Sequence, residues 1–182
     1  MSLLEIAQWI QNTDWATYIR MSGYVYPAIL STHLTGIALF GGAILITDLR
    51  LLGIVLRDQP VSDVVGQLRV PKIIGLLIVA TCGILLASSK AEEYYYNAFF
   101  RAKLSLLALV FVHALIFRSG VYHNTAALDQ ARRMPGKAKL AAALSLILWI
   151  SIACVGRGIG YIEPPLDKLH ASIAGATAGS PR

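Results

Sequence analysis

The chain of 182 residues is 56% hydrophobic and only 14% charged, with a mean hydropathy of +0.62, against about 25% charged residues in a soluble domain. This sets aside an ordinary soluble globule, and four long apolar runs set aside a soluble bundle of buried helices. The net charge of +6 does not point to nucleic acid, because the basic residues gather at helix ends, where anionic lipid headgroups are the nearer partner.

The first 22 residues read as an interfacial amphipathic segment. SLLEIAQWIQ repeats apolar residues at helical spacing (Leu3, Ile6, Trp9, Ile10), and Asp14 is placed to cap a second short helix through DWATYIRMS. Trp9, Trp15 and Tyr18 are amphipathic rings suited to the headgroup level. Glu5, Asp14 and Arg20 stand where a cleavable signal needs a basic start and an apolar stretch, so the first crossing is expected to serve as the targeting signal.

Residues 23–160 carry the four apolar segments, drawn at Tyr24–Thr47, Ile73–Ser89, Leu104–Phe117 and Leu140–Gly156. A bilayer core needs about 20 helical residues, so the third segment spans only if Lys103 and Arg118 snorkel to the interfaces. Pro27 falls early enough in the first span to be tolerated. The Tyr94–Tyr95–Tyr96 run before the third span resembles a second aromatic belt. Beyond Gly160 the Pro, Ala, Gly and Ser content predicts a flexible tail over 161–182. The expected fold is therefore all-α: an integral membrane four-helix bundle with N-terminal interfacial helices, without repeats or a second domain.

Orientation follows from Lys and Arg. Nine lie in the loops after the first and third spans (Arg50, Arg57, Arg69, Lys72, Arg118, Arg132, Arg133, Lys137, Lys139) and seven on the other side (Arg20, Lys90, Arg101, Lys103, Arg157, Lys168, Arg182). The positive-inside rule then puts both termini outside, in the periplasm of a bacterial inner membrane. Cys82 and Cys154 both fall within spans, with no CxxC or CxxCH, and read as small packing residues.

Two histidines fall inside spans. A histidine in hydrocarbon needs partners for its ring nitrogens and turns into the bundle. His33 lies nine residues after Tyr24 and His113 nine after Leu104, so each is expected roughly 13–14 Å along its helix from the same membrane face. Equal depth suits two axial ligands of one metal, here a non-covalent b-type haem. Gly36, on the His33 face, and Gly41, Gly42, Gly75 and Gly83 leave room for a planar cofactor or let helices approach closely. Lys103, Arg101 and Arg157 could pair with the propionates or simply snorkel, and Trp149 could pack against the cofactor or donate its N–H to a neighbouring helix. The rival is that each histidine bonds a nearby hydroxyl, Thr32 or Thr35 for His33 and Ser105 for His113. His123 reads as a wet cytoplasmic residue, and His170 in the tail carries no assignment. Copper is disfavoured, since Met1, Met21 and Met134 all lie outside the spans. Asp48 and Arg50, closing the first span, are expected to form an ion pair, or to reach Arg69 or Arg118 and pin the cytoplasmic ends together, a structural role set against the alternative of a proton relay.

The run DWATYIRMSGYVYPAILSTHLTGIALFGGAILITDLRLLG resembles a group of uncharacterised bacterial four-helix inner-membrane proteins. In that group a tryptophan-led amphipathic start, a proline, a histidine followed by glycine and a closing DLRLLG come in that order. The His33 helix and FFRAKLSLLALVFVHALIF more distantly resemble the membrane domain of CopD copper-resistance proteins and the HemJ type of protoporphyrinogen oxidase. The HemJ resemblance implies haem b and porphyrin chemistry, with His33 as a ligand and Lys103 as a cofactor or substrate contact. LTGIALFGG stands where that group has a tryptophan-bearing turn, so the oxidase activity is not carried over.

Three functions are therefore set against one another. The first is a membrane protein binding one b-type haem between His33 and His113, for electron transfer or as the membrane anchor of a redox complex. The second is a cofactor-free structural subunit, and the third a porphyrin-oxidising enzyme or copper-handling protein.

Overall fold

The computed structural model describes residues 2–117, 120–121, 125–131 and 134–161. Its helices are α1 (Leu3–Gln11), α2 (Asp14–Met21), α3 (Val25–Leu52), α4 (Val61–Gln67), α5 (Arg69–Ser89), α6 (Ala91–Tyr96), α7 (Ala98–Phe117), α8 (Thr125–Asp129) and α9 (Gly136–Gly158). Among the described residues there is no strand. Four helices, α3, α5, α7 and α9, are long and apolar enough to cross a membrane, so the all-α membrane bundle holds. The expectations for the tail, for His123 and for His170 fall outside the described residues.

The helix boundaries differ from the apolar runs in one consequential way. α7 begins at Ala98, not Leu104, and its 20 residues reach across a bilayer without help from Arg118. Ala98, Phe99, Phe100 and Ala102 extend the helix backwards, so Arg101 and Lys103 lie within it. At the N-terminus the cap of α2 is Thr13, with Asp14 as the first helical residue and no side-chain cap bond. α1 instead carries the full reciprocal cap, Ser2 accepting from Glu5 N and Glu5 accepting from Ser2 N.

The spans pack as a chain of neighbours: α5 on α3, α3 on α9, α9 on α7. The buried face of α3 comprises His33, Gly36, Phe40, Ala43, Thr47, Asp48 and Leu51, a recurrence of three and four residues that keeps one stripe turned inward. Most of that stripe is small or polar, as expected where lipid is no less apolar than protein and close packing must hold helices together. α9 answers with Ala138, Ala141, Ala142, Ser145 and Ile152. α3 and α5 approach very closely: a Cβ on Gly75 would sit 2.7 Å from Phe40 N, and one on Gly36 would sit 2.6 Å from Ile78 Cγ2.

Short helices close the two ends. At the end where α3 starts, Gln8 Nε2 donates to Glu92 Oε1 at 2.8 Å and Glu92 N to Gln11 Oε1 at 3.0 Å. Arg20 Nη1 donates to the carbonyls of Gln11 and Ser89 at 3.1 and 2.9 Å, supplying donors to backbone oxygens that helix ends leave unsatisfied. At the other end Gly53, in the left-handed region at φ 75°, stops α3. Gly53 N donates to Arg50 O and Ile54 N to Leu49 O, the paired bonds of a glycine C-terminus. Arg50 then donates to Gln59 O at 2.9 and 2.6 Å. The Asp129 carboxylate accepts from Val61 N and, at 3.3 Å, from Ser62 N, tying α8 to the start of α4 over a core of Leu51, Val61, Phe117, Val121 and Leu128.

Two predictions follow from these contacts. Gly75→Ala drives a methyl into the α3 backbone and is expected to cost about 1–3 kcal/mol, whereas Gly41→Ala, with nothing within 4 Å, should stay within about 0.5 kcal/mol; unfolding by denaturing detergent compares the two. The hydrogen bond from Ser62, aided by the Val61 and Ser62 amides, holds the Asp129 carboxyl below its ordinary range. The ionised form therefore stabilises the α4–α8 contact above the unfolded carboxyl's titration, and that contribution is lost as pH falls through the depressed folded value. Amide exchange at Val61 and Ser62 should accelerate only under that acid condition in the native chain, and at all pH values in Asp129→Ala.

Candidate functional site

Ionisable side chains inside the spans gather in two polar layers, separated by an aromatic contact. In the first, near the start of α3, His33 is 8% exposed and lies against α5, where a Cβ on Gly83 would be 3.3 Å from its Cε1. Its ring makes a backbone hydrogen bond with Val79 of α5, and Lys103 of α7 is close enough to act on it electrostatically. Nδ1 is buried and has no partner. Lys103 is partly buried, its Nζ 3.8 Å from where a Cβ on Gly156 of α9 would stand. Among the described residues no carboxylate pairs with it. Two groups able to carry positive charge thus face each other away from water without an anion, an arrangement that raises the energy of both charged forms.

The middle of the bundle is closed by Phe40 and Trp149, edge to face with ring centroids 5.2 Å apart. Beyond it lies the second layer. Asp48 of α3, 2% exposed, is hydrogen-bonded by Ser145 of α9 and faces Lys72 of α5. His113 of α7 sits close to the same part of α9, its Nε2 3.0 Å from Ala141 O, and its ring is 4.9 Å from that of Phe117.

The two intramembrane histidines therefore occupy different levels. His33 is eight residues beyond the start of α3, and His113 fifteen beyond the start of α7. His33 shares its level with Lys103, ten residues before His113 on α7, which is about 15 Å of helix. Two axial ligands of one metal, each bonded at about 2 Å, cannot be that far apart. The equal-depth expectation failed because it counted from Leu104, after α7 had already run through Ala98–Lys103. A haem held by both histidines does not fit these residues.

The remaining candidates fall apart in the same way. Gly36 is met by Ile78 and Val79, so at its own position it serves helix approach. Arg157 points outward, donating to Tyr161 Oη at 2.9 Å and lying over that ring, and Arg101 is exposed. The hydroxyl rival also fails: Thr32, Thr35 and Ser105 bond the carbonyls of Ala28, Ser31 and Arg101 on their own helices. Asp48 reaches α9 through the Ser145 hydrogen bond and faces Lys72, whereas Arg50 donates to Gln59 O and Arg118 lies outside the described residues. Among the described residues no three His, Cys, Asp or Glu side chains converge on a metal position.

Ser145 and Lys72 were not singled out from sequence. Ser145 is one hydroxyl within LAAALSLILWI and Lys72 looks like one more basic loop residue until α5 is seen to begin at Arg69.

The His113 bond to α9 is expected to act as a structural tie. His113→Ala should lower stability by about 1 kcal/mol, measured by thermal unfolding in detergent, while leaving the NMR signal of His33 in place.

No curated protein and no solved structure matches the chain, so the resemblances to CopD and HemJ proteins gain no support there. One family model matches residues 7–162, that of a family of unknown function, DUF6644.

Proposed function

The chain belongs to the DUF6644 family, and from the first polar layer we propose that it is a multi-pass membrane protein holding one acid-bearing, membrane-soluble ligand at His33 and Lys103. With a b-type haem as that ligand, His33 would be its one histidine ligand and Lys103 would pair with a propionate. The observation that carries this reading is the buried, partnerless Nδ1 of His33 on a ring whose other side bonds the Val79 backbone. Histidines that ligate metals are commonly oriented by such a bond from the second ring nitrogen.

A ligand carboxylate beside Lys103 would supply the anion this layer lacks and remove the mismatch between two like-charged groups. His33 is held between α3 and α5, and Gly83 lets its ring pack closely against α5, where a Cβ would stand 3.3 Å from Cε1. The haem, when bound, supplies one-electron transfer, by itself or within the membrane anchor of a redox complex. The exposed Trp9, Trp15 and Tyr18 suit α1 and α2 to the headgroup layer, and the basic α4–α8 end suits the cytoplasmic side of the inner membrane.

Oxidised and reduced absorption spectra of the protein in mild detergent, after haem supplementation, test this. Haem should bind the native chain and be lost in His33→Ala. Lys103→Ala should weaken binding about tenfold or more, the worth of one charge-assisted bond, and His113→Ala should keep its colour. Loss in both histidine variants would instead restore the two-histidine haem, and a colourless native protein would leave a structural subunit whose histidines tie helices.

A further inference from the structure

The second layer has a feature that helix packing alone does not require. Asp48 Oδ2 is buried without any hydrogen-bond donor, although Ser145 bonds the carboxylate. An ionised oxygen left bare in so dry a place is costly, whereas a purely structural acid would be surrounded by donors. Lys72 faces it from α5, but no ion pair within 4.0 Å joins them. The charge is therefore balanced at a distance and the oxygen stays free to take something small.

We propose that Asp48 is a proton-binding site, its carboxylate taking up one proton at Oδ2 from the α4–α8 end of the bundle and releasing it there, with Ser145 orienting the group and Lys72 as its counter-charge. The balance is simple: a carboxylate and a proton give a neutral carboxyl, with no redox partner. A metal ion fits less well. It would meet the positive charge of Lys72 and only one carboxylate, whereas a proton needs a single oxygen.

Position supports exchange with that end. Leu52 follows Asp48 by one helical turn and lines a cleft of about 740 Å³, with Arg50, Gln59, Leu128 and Lys139 also on its walls. α5 presents Lys72 to Asp48 and α9 presents Ser145. α4 presents Val61 and Val64 at this end, and α7 contributes His113, held against Ala141 one turn from Ser145. The inference does not rest on a ligand at His33, and protein without any cofactor decides it.

Infrared difference spectra of the purified chain in lipid nanodiscs, recorded across mildly acidic to mildly alkaline pH, read the carbonyl stretch of a neutral carboxyl group. The expected result is a band that grows with acid, is absent in Asp48→Asn and survives in Glu92→Gln. Glu92 is also buried, but it accepts from Gln8. Lys72→Met removes the charge that favours the anion and should enlarge the band at a fixed pH. Absence of a pH-dependent band in the native chain, or a band that persists unchanged in Asp48→Asn, overturns the proposal. If Asp48→Asn does not fold, the Lys72→Met comparison decides: an unchanged band overturns it.

Discussion

The distance between α3 and α5 governs the rest of the molecule. Gly75 lies against the backbone of Phe40 and Gly36 against Ile78 and Val79, so the two helices meet with almost no side chain between them. In lipid, where burying apolar surface gains little, contact at this range supplies much of the dispersion that holds helices together. It also decides which residues can be dry. His33 is buried because α5 comes close enough for Gly83 to meet its ring, and Asp48 and Lys72 face each other because the same pairing carries through to the far end of both helices.

The polar layers sit at the two ends of this pairing, and their chemistry differs. One offers a basic histidine and a lysine with no anion. The other offers an acid, a lysine and a hydroxyl. Between them stand Phe40 and Trp149, packed edge to face. α3 runs through both layers and carries His33, Phe40 and Asp48 on one stripe.

Much of the architecture was legible in the sequence. Four apolar runs between charged or turn-forming segments are a strong signal because a bilayer demands length, and DLRLLG did mark the end of α3. The ends of helices were less legible. Ala98–Lys103 mixes two charges into an apolar stretch, and hydropathy could not say that the helix already runs there. That error of one and a half turns displaced His113 and created an apparent match with His33. The partners of polar residues were the least legible part. Thr32 and Thr35 were neighbours of His33 in sequence but bond their own helix, as hydroxyls in apolar helices readily do. Lys103, Lys72 and Ser145 come to His33 and Asp48 only through packing between helices that no local pattern specifies.

The place of α7 has a consequence for how the molecule is made. α3 and α5 are consecutive spans and find their longest contact in each other as soon as both have left the ribosome. α7 packs along α9 and has no comparable contact with α3 or α5 among the described residues, although it brings Lys103 into the bilayer. It must wait in lipid, cation included, until α9 is synthesised. α9, rich in alanine and touching both α3 and α7, then joins α7 to the α3–α5 pair, so assembly of these four spans is completed by the helix that follows them in the chain.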